Sequence, residues 1–340
     1  MANLMSEFKM KDLTIKNRVM MSPMCQFSAT GKDGMPTDWH LQHYTSRAIG
    51  GVGLVMVEMT NVEARGRVTD YCLGLWSDEH RDALKKIVDQ VHKYGAKIGI
   101  QIAHAGRKAE HELEPVAPSA LAFDDTYKTP KELSIDEIKE LIHKFKESTI
   151  RAVDAGFDLI ELHGAHGYLI HQFLSPYTNK RTDLYGHDRK RFGIEVVSAM
   201  KSVMPGNMPL FLRVSGIEYV SGGYDIEEAV SFSKVFKDAG VDVFDVSSGG
   251  EGPIDAAGRP GTHGGYQVPL ARRIKEELQV PVIAVGRLEN ETLANSVIGN
   301  NDADIVAIGR GLLANPYWTL TAASRLKLNN FVPQQYNTAF

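Results

Sequence analysis

The sequence predicts an α/β fold, a (β/α)8 barrel of the TIM type whose inserted βα loops form a lid over the carboxyl-terminal face. Three observations predict it. Apolar, β-rich runs alternate with amphipathic helical stretches along the whole chain, the pattern of a parallel sheet with helical crossovers. Runs such as LIEL, FLRV, VFDV, VIAV and IVAI are apolar with little alternation, as strands buried on both faces should be. A doubly wound dinucleotide-binding sheet should instead open on a glycine-rich strand-to-helix turn followed by an acidic residue. Gly50-Gly51-Val52-Gly53 stands before a strand, where it reads as the turn that ends a helix.

Eight strands are expected, at 18–23, 53–61, 97–104, 157–163, 209–215, 241–247, 280–286 and 303–309. Between them lie amphipathic segments at 78–94, 134–155, 225–239, 270–278 and 293–298. Ser134 and Glu137 have the spacing of a capping box, and Asp225 with Glu228 makes a similar acidic start. Gly95, Gly156 and Gly240 stand where helices should stop. Two excursions with proline and glycine punctuation, 107–133 and 249–266, have the length of lids or caps. With no repeat beyond the βα period and no low-complexity linker, residues 1–340 read as one domain.

Charge is nearly balanced, 38 basic against 42 acidic side chains, which argues against a nucleic-acid partner. The start MANLMSEFKMKDL lacks a basic segment followed by a long apolar stretch, and no run approaches a membrane span, so a cytoplasmic protein with no membrane partner is expected. The two cysteines, Cys25 and Cys72, are too few for a disulfide framework or a cysteine-rich metal site.

In such barrels chemistry gathers at the carboxyl ends of the strands. Those ends read Ser22-Pro23-Met24-Cys25, Glu58-Met59-Thr60, Gln101 to Lys108, His163 to Tyr168, Arg213, Ser247-Ser248, Gly286-Arg287 and Gly309-Arg310. The last two strands end in parallel text, AVGR and AIGR. Glycine lets a phosphate approach the backbone, and arginine can grip it bidentately. His163 and His166, three apart, lack the further ligands a metal would need, so no metal is expected. They read better as two imidazole donors that hold a carbonyl or nitro oxygen, with the Tyr168 hydroxyl as proton source. Arg213 and Lys108 add positive charge suited to an anionic reduced cofactor. Cys25 stands among polar site residues, whereas Cys72 has no such context and reads as structural.

The segments SPMC at 22–25, GIQIAHAGRKAE at 99–110 and IELHGAHGYLIHQFLSPYTNKRTDLYG at 160–186, with Arg213 and IGR at 308–310, resemble the Old Yellow Enzyme family. SPMC and HGAH make the chain similar to its thermophilic-like subclass, bacterial NADPH dehydrogenases and xenobiotic reductases, over essentially the whole length. The resemblance implies non-covalent FMN bordered by Ser22, Pro23, Met24, Cys25, Met59, Gln101, Arg213, Gly309 and Arg310; the repeated Gly-Arg text adds Gly286 and Arg287. It also implies His163 and His166 as substrate anchors, Tyr168 as proton donor and Cys25 as a tuner of flavin potential. The substrate is expected to meet Phe27, Lys108, Gly164 and Ala165 as well.

The expected function is an ene-reductase, which reduces the C=C bond of an enone or nitroalkene, or a quinone, with electrons from NADPH, NADH being the alternative donor. Hydride should pass from flavin N5 to the β-carbon while Tyr168 protonates the α-carbon from the opposite face. Two rival readings remain: a phosphate-gripping isomerase or aldolase without flavin, and a flavin-binding protein without catalysis. Four departures from the family pattern stand out. Phe27 replaces a usual tyrosine, Met59 replaces a usual small residue, HDRKRF follows RTDLYG in shortened form, and the ending QQYNTAF lacks the arginine that some relatives extend into a neighbouring subunit. A homo-oligomer, dimer or tetramer, is expected, without a partner-completed site.

Overall fold

The computed structural model describes residues 2–252, 261–329 and 331–340. Each expected strand forms, trimmed at one or both ends, with β4 also running one residue further than expected: β1 (Val19–Met21), β2 (Leu54–Asn61), β3 (Lys97–Ala103), β4 (Leu159–Gly164), β5 (Leu210–Ser215), β6 (Val243–Ser247), β7 (Val282–Val285) and β8 (Ile305–Ile308). All eight pair in parallel in chain order, and β8 returns to β1 with Val306 opposite Val19, closing the barrel. Closure leaves no barrel edge unpaired. Nearly every strand residue is buried because one face packs inward and the other meets helices, which is why the sequence shows continuous apolar runs.

Helices α1 (Asp38–Ile49), α2 (Asp78–Lys93), α3 (Ile135–Asp154), α4 (Leu169–Leu174), α5 (Arg191–Lys201), α6 (Ile226–Asp238), α7 (Val268–Leu278) and α8 (Glu291–Gly299) lie among the strands in sequence. The capping box at α3 is present: the Ser134 hydroxyl accepts from the Glu137 N–H, and the Glu137 carboxylate accepts from the Ser134 N–H. Asp225 caps α6 by accepting from the N–H groups of Glu227 and Glu228. Gly50 caps α1, as its position before a strand implied.

The amino end of the barrel is plugged by an antiparallel hairpin, Phe8–Met10 with Leu13–Ile15. Phe8, Leu13 and Ile15 pack onto an inner layer that includes Met20, Leu54, Met56, Leu159, Phe211, Val243, Ile283 and Ile305. The opposite end carries the excursions. The first contains a short parallel pair, Val116–Ala117 with Lys131–Glu132. Arg107, 1% exposed, donates from its guanidinium to the carbonyls of Ala122 and Glu251, so the two excursions are pinned to each other. Residues 253–260 of the second excursion lie outside the described residues.

Candidate active site

Side chains two residues apart on a strand face the same side. On β4 this sets Leu159, Glu161 and His163 in line, and on β5 Phe211, Arg213 and Ser215; all six are buried. Leu159 and Phe211 belong to the apolar plug, whereas the next level is charged. Gln101 donates from Nε2 to Glu161 Oε1 at 2.8 Å, Arg213 Nε lies 3.4 Å from Asp245 Oδ2, and Arg213 Nη2 donates to Ser22 Oγ at 3.3 Å. Burial, reinforced by the neighbouring Asp245, pushes the Glu161 carboxyl up to about 8, and Arg213 opposes the rise. Burial raises Asp245 too, again against Arg213. Glu161 Oε2, both oxygens of Asp245 and Arg213 Nε have no hydrogen-bond partner. The level therefore holds unsatisfied polar capacity in the barrel interior.

One step nearer the mouth stand the histidines. His163 Nδ1 accepts the Ala165 N–H at 3.2 Å, which leaves Nε2 to carry the proton of the neutral ring. His166, held at φ 59°, donates its backbone N–H to Ser215 Oγ, and its Nε2 lies 2.7 Å from Ser247 Oγ. Burial, followed by the charge of Arg213, holds both imidazoles well below their usual range, so both are neutral. Their ring centres are 5.3 Å apart, and Tyr168 stands edge-on to His163 at 4.8 Å. Burial raises the Tyr168 phenol above its usual range, so it stays protonated.

The tight HGAHGY turn depends on two glycines. Gly167 and Gly250 adopt φ of 72° and 94°, and a Cβ on Gly167 would sit 2.2 Å from the Gly250 carbonyl oxygen. Lys108 fastens the same junction, donating to the carbonyls of His166 and Gly250 at 3.0 and 2.9 Å. Burial lowers its ammonium to about 8, and it sits 5.4 Å from the Tyr168 ring centre. Gly164 and Ala165 are buried behind the histidines.

Across from Tyr168, the strand end after β1 supplies a second wall. Glu58, fully buried, accepts the Gln26 N–H at 2.7 Å and the Tyr44 hydroxyl at 3.0 Å. Phe27 follows at φ 51° and is 47% exposed. Cys25 and Tyr168 pack against a cluster of Met59, Val68, Cys72, Ala103, Ala105 and Ala109. Cys72, fully buried within that cluster, accepts the Thr69 N–H on its sulfur at 3.4 Å.

At the mouth, the Gly309 backbone lies beside the β1 end: a Cβ there would meet Met24 Sδ at 3.5 Å. Gly286, at φ 122°, is buried, and Arg310 is exposed next to it in the barrel order. Arg287 is also exposed, and its guanidinium is bonded to the Thr262 carbonyl. Pro23 and Met24 are half-buried between these elements.

Sequence reasoning missed Glu161 and Asp245, whose signal was a lone acid inside an otherwise apolar strand. It also missed the buried group His171, Glu218 and Glu251. His171 Nδ1 accepts the Gly167 N–H, and its Nε2 donates to Glu218 at 3.0 Å. Arg107 lies against Glu251, so the group works as a clasp behind the HGAHGY turn.

A family model described as the NADH:flavin oxidoreductase / NADH oxidase family matches residues 3–329. An NADPH dehydrogenase of Bacillus subtilis (strain 168) is 47% identical over 336 residues, 98% of each chain. Another of Listeria monocytogenes serotype 4b (strain CLIP80459) is 47% identical over 343 residues, covering 100% of each. Among solved structures, morphinone reductase aligns with a TM-score of 0.83 at 27% identity over 98% of this chain and 92% of its own. A 2-naphthoyl-CoA reductase bound to 2-naphthoyl-CoA aligns with a TM-score of 0.86 at 27% identity; 96% of this chain spans 52% of that one. With its barrel and nearly its whole length accounted for in this way, the chain belongs to the NADH:flavin oxidoreductase / NADH oxidase family, the Old Yellow Enzyme family of FMN oxidoreductases.

Proposed function

We infer that the protein reduces activated C=C bonds, in α,β-unsaturated carbonyl or nitro compounds, with NADPH as electron donor. The observation that carries this reading is the pair of neutral imidazoles beside a protonated tyrosine, His163 making its ring hydrogen bond through Nδ1 and leaving Nε2 with its proton for a ligand. NADPH as donor rests on the names of the relatives that are 47% identical over the full length.

The residues fit FMN. Arg213 and Gln101 present polar groups in a level with unfilled hydrogen-bonding capacity, and Gly286 and Gly309 leave the mouth without side chains where a phosphate would need backbone contact. Ser22, Pro23, Met24, Cys25, Met59, Gln101 and Arg213 would border the ring; Gly286, Gly309 and Arg310 would hold the phosphate. Arg287 would contribute through its backbone while its side chain holds Thr262. Bound there, FMN supplies hydride chemistry between the nicotinamide and the substrate.

The chain's own residues do the rest. His163 donates from Nε2 to the substrate oxygen; the Ser247 hydroxyl donates to Gln267 Oε1, so His166 carries its ring proton on Nε2, donates it to Ser247 Oγ at rest and joins His163 by turning that proton to the substrate oxygen. Neutral donors strengthen as negative charge develops on that oxygen, so they favour the transition state over the ground state. Tyr168, protonated across the working pH range, delivers a proton to the α-carbon. Phe27 lines the outer wall, and Lys108 keeps the His166 carbonyl in place.

Stopped-flow kinetics of the two half-reactions test the assignment. Tyr168→Phe should bleach with NADPH at the parental rate and reoxidise more slowly with cyclohexenone. Equal reoxidation by both proteins would remove Tyr168 as proton donor, and failure of any enone or nitroalkene to reoxidise the parental enzyme would remove the function itself.

A further inference from the structure

Gln267 enters the barrel mouth just after the second excursion, as the residue that precedes α7, and is 3% exposed. Its amide links two strands. Nε2 donates to the Val285 carbonyl of β7 at 3.1 Å, and a carbonyl can only accept, so Oε1 is the end that meets the serines at the end of β6. There the Ser247 and Ser248 hydroxyls donate to Oε1 at 3.2 and 2.5 Å, occupying both of its lone pairs. The amide is seated against Gly286, where a Cβ would come within 2.9 Å of Nε2. The Gly265 N–H donates to the Gly286 carbonyl at 2.8 Å and holds the segment that carries the glutamine. We propose that Gln267 is a positioning residue for the substrate anchor His166: acting through Ser247, it fixes which ring nitrogen of that histidine carries the proton.

The argument is one of counting hydrogens. A hydroxyl has a single hydrogen, and Ser247 directs its own to Gln267, so at 2.7 Å from His166 Nε2 the Ser247 oxygen can only accept. The buried ring is neutral and holds one proton, which must therefore sit on Nε2 and leave Nδ1 bare. Without the glutamine oxygen, the Ser247 hydroxyl is released to turn its hydrogen toward Nε2, and the ring proton moves to Nδ1. The backbone of His166 is held by other groups, its N–H by Ser215 Oγ at 3.1 Å and its carbonyl by Lys108 at 3.0 Å. Gln267 thus governs the proton of the ring while its place is set elsewhere. The wrong tautomer would present a lone pair of Nε2 to the lone pairs of the substrate oxygen, a repulsion in place of a hydrogen bond. That consequence rests on the reading of His166 as an oxygen anchor, whereas the tautomer itself does not.

The test uses FMN-loaded full-length enzyme with isotope-labelled histidine, read by two-bond proton–nitrogen correlation NMR, with His166→Asn identifying the resonance. The parental ring should carry its proton on Nε2. Gln267→Met, similar in length but without an acceptor, should move the proton to Nδ1 and slow reoxidation by cyclohexenone about three- to tenfold, the worth of one hydrogen bond. Gln267→Glu keeps an oxygen before the serines and should keep the Nε2 proton, restoring most of the rate. The proposal is overturned if the parental ring is protonated on Nδ1, a result that needs no variant to fold. It is overturned equally if Gln267→Met, or Gln267→Leu should the first variant not fold, leaves the proton on Nε2, whether or not the reaction slows. A tautomer that follows Gln267 in an enzyme that reduces no enone would uphold this proposal and remove the assigned reaction instead.

Discussion

Two levels of the barrel interior, one step apart on the same strands, are built on opposite principles. Toward the amino end, Leu159, Phe211 and Val243 fill the interior with hydrocarbon under the plugging hairpin. Two residues further along each strand, Glu161, Arg213 and Asp245 fill it with charge. The apolar level gains about 25 cal/mol for every Å² removed from water. The charged level carries desolvation costs that its ion pairs offset only in part, and several of its polar atoms are left unpartnered. The difference teaches that the strand's two-residue period separates a hydrocarbon level from a charged, incompletely satisfied one, without any change in backbone.

The contrast can be broken from either side. Arg213→Leu leaves two buried carboxyls without their cation and should cost about 3–5 kcal/mol of stability at alkaline pH, less at low pH as they take up protons; flavin content after gel filtration should fall with it. Full flavin occupancy in this variant would mean that the charged level has no binding role. Phe211→Ala should destabilise by about 3–5 kcal/mol in denaturant titration while the folded fraction retains its FMN. Selective flavin loss there would dissolve the division between levels.

One level higher, His163→Ala should slow cyclohexenone reduction on the order of 10²–10³, the usual cost of one oxyanion donor, with flavin retained and bleaching by NADPH affected less. Parental rates in the oxidative half-reaction would count against oxygen anchoring. The smallest effect is a slope. Folded Glu161 holds its proton to about 8, whereas its ordinary value is 4.5, so between these pH values the folded state binds a proton that the unfolded state releases. Stability conferred by this group is present below pH 4.5 and lost as pH rises toward 8, by up to about 1.4 kcal/mol per unit. Glu161→Gln should flatten the stability profile of the apoprotein in that window, and an unchanged profile would place the proton elsewhere.

How much of this was legible follows from the same period. Strands buried on both faces advertise themselves as apolar runs, so all eight were found. Helix α1 was not singled out because it buries His40, His43 and Arg47, which blurs an apolar stripe. The HGAHGY histidines and the Gly-Arg strand ends were readable because polar residues cluster where apolar runs stop. Glu161 and Asp245 were not, since LIEL and VFDV read as hydrocarbon, and an acid at a strand's midpoint acquires meaning only when a neighbouring strand brings Arg213 beside it.

The strand end after β1 has a consequence for anyone reshaping this pocket. Its course is held through Gln26, whose N–H is received by Glu58 and whose amide oxygen accepts from Trp39, while the Phe27 ring projects outward at nearly half exposure. Phe27 is thus a removable tile on a fixed frame: its neighbours, and not its own ring, keep the loop in register. Because its backbone sits at φ 51°, glycine or asparagine should be seated there with less strain and valine or isoleucine with more. A substitution library at this one position therefore edits the width of the entrance while leaving the frame, and the cysteine two residues before it, where they stand.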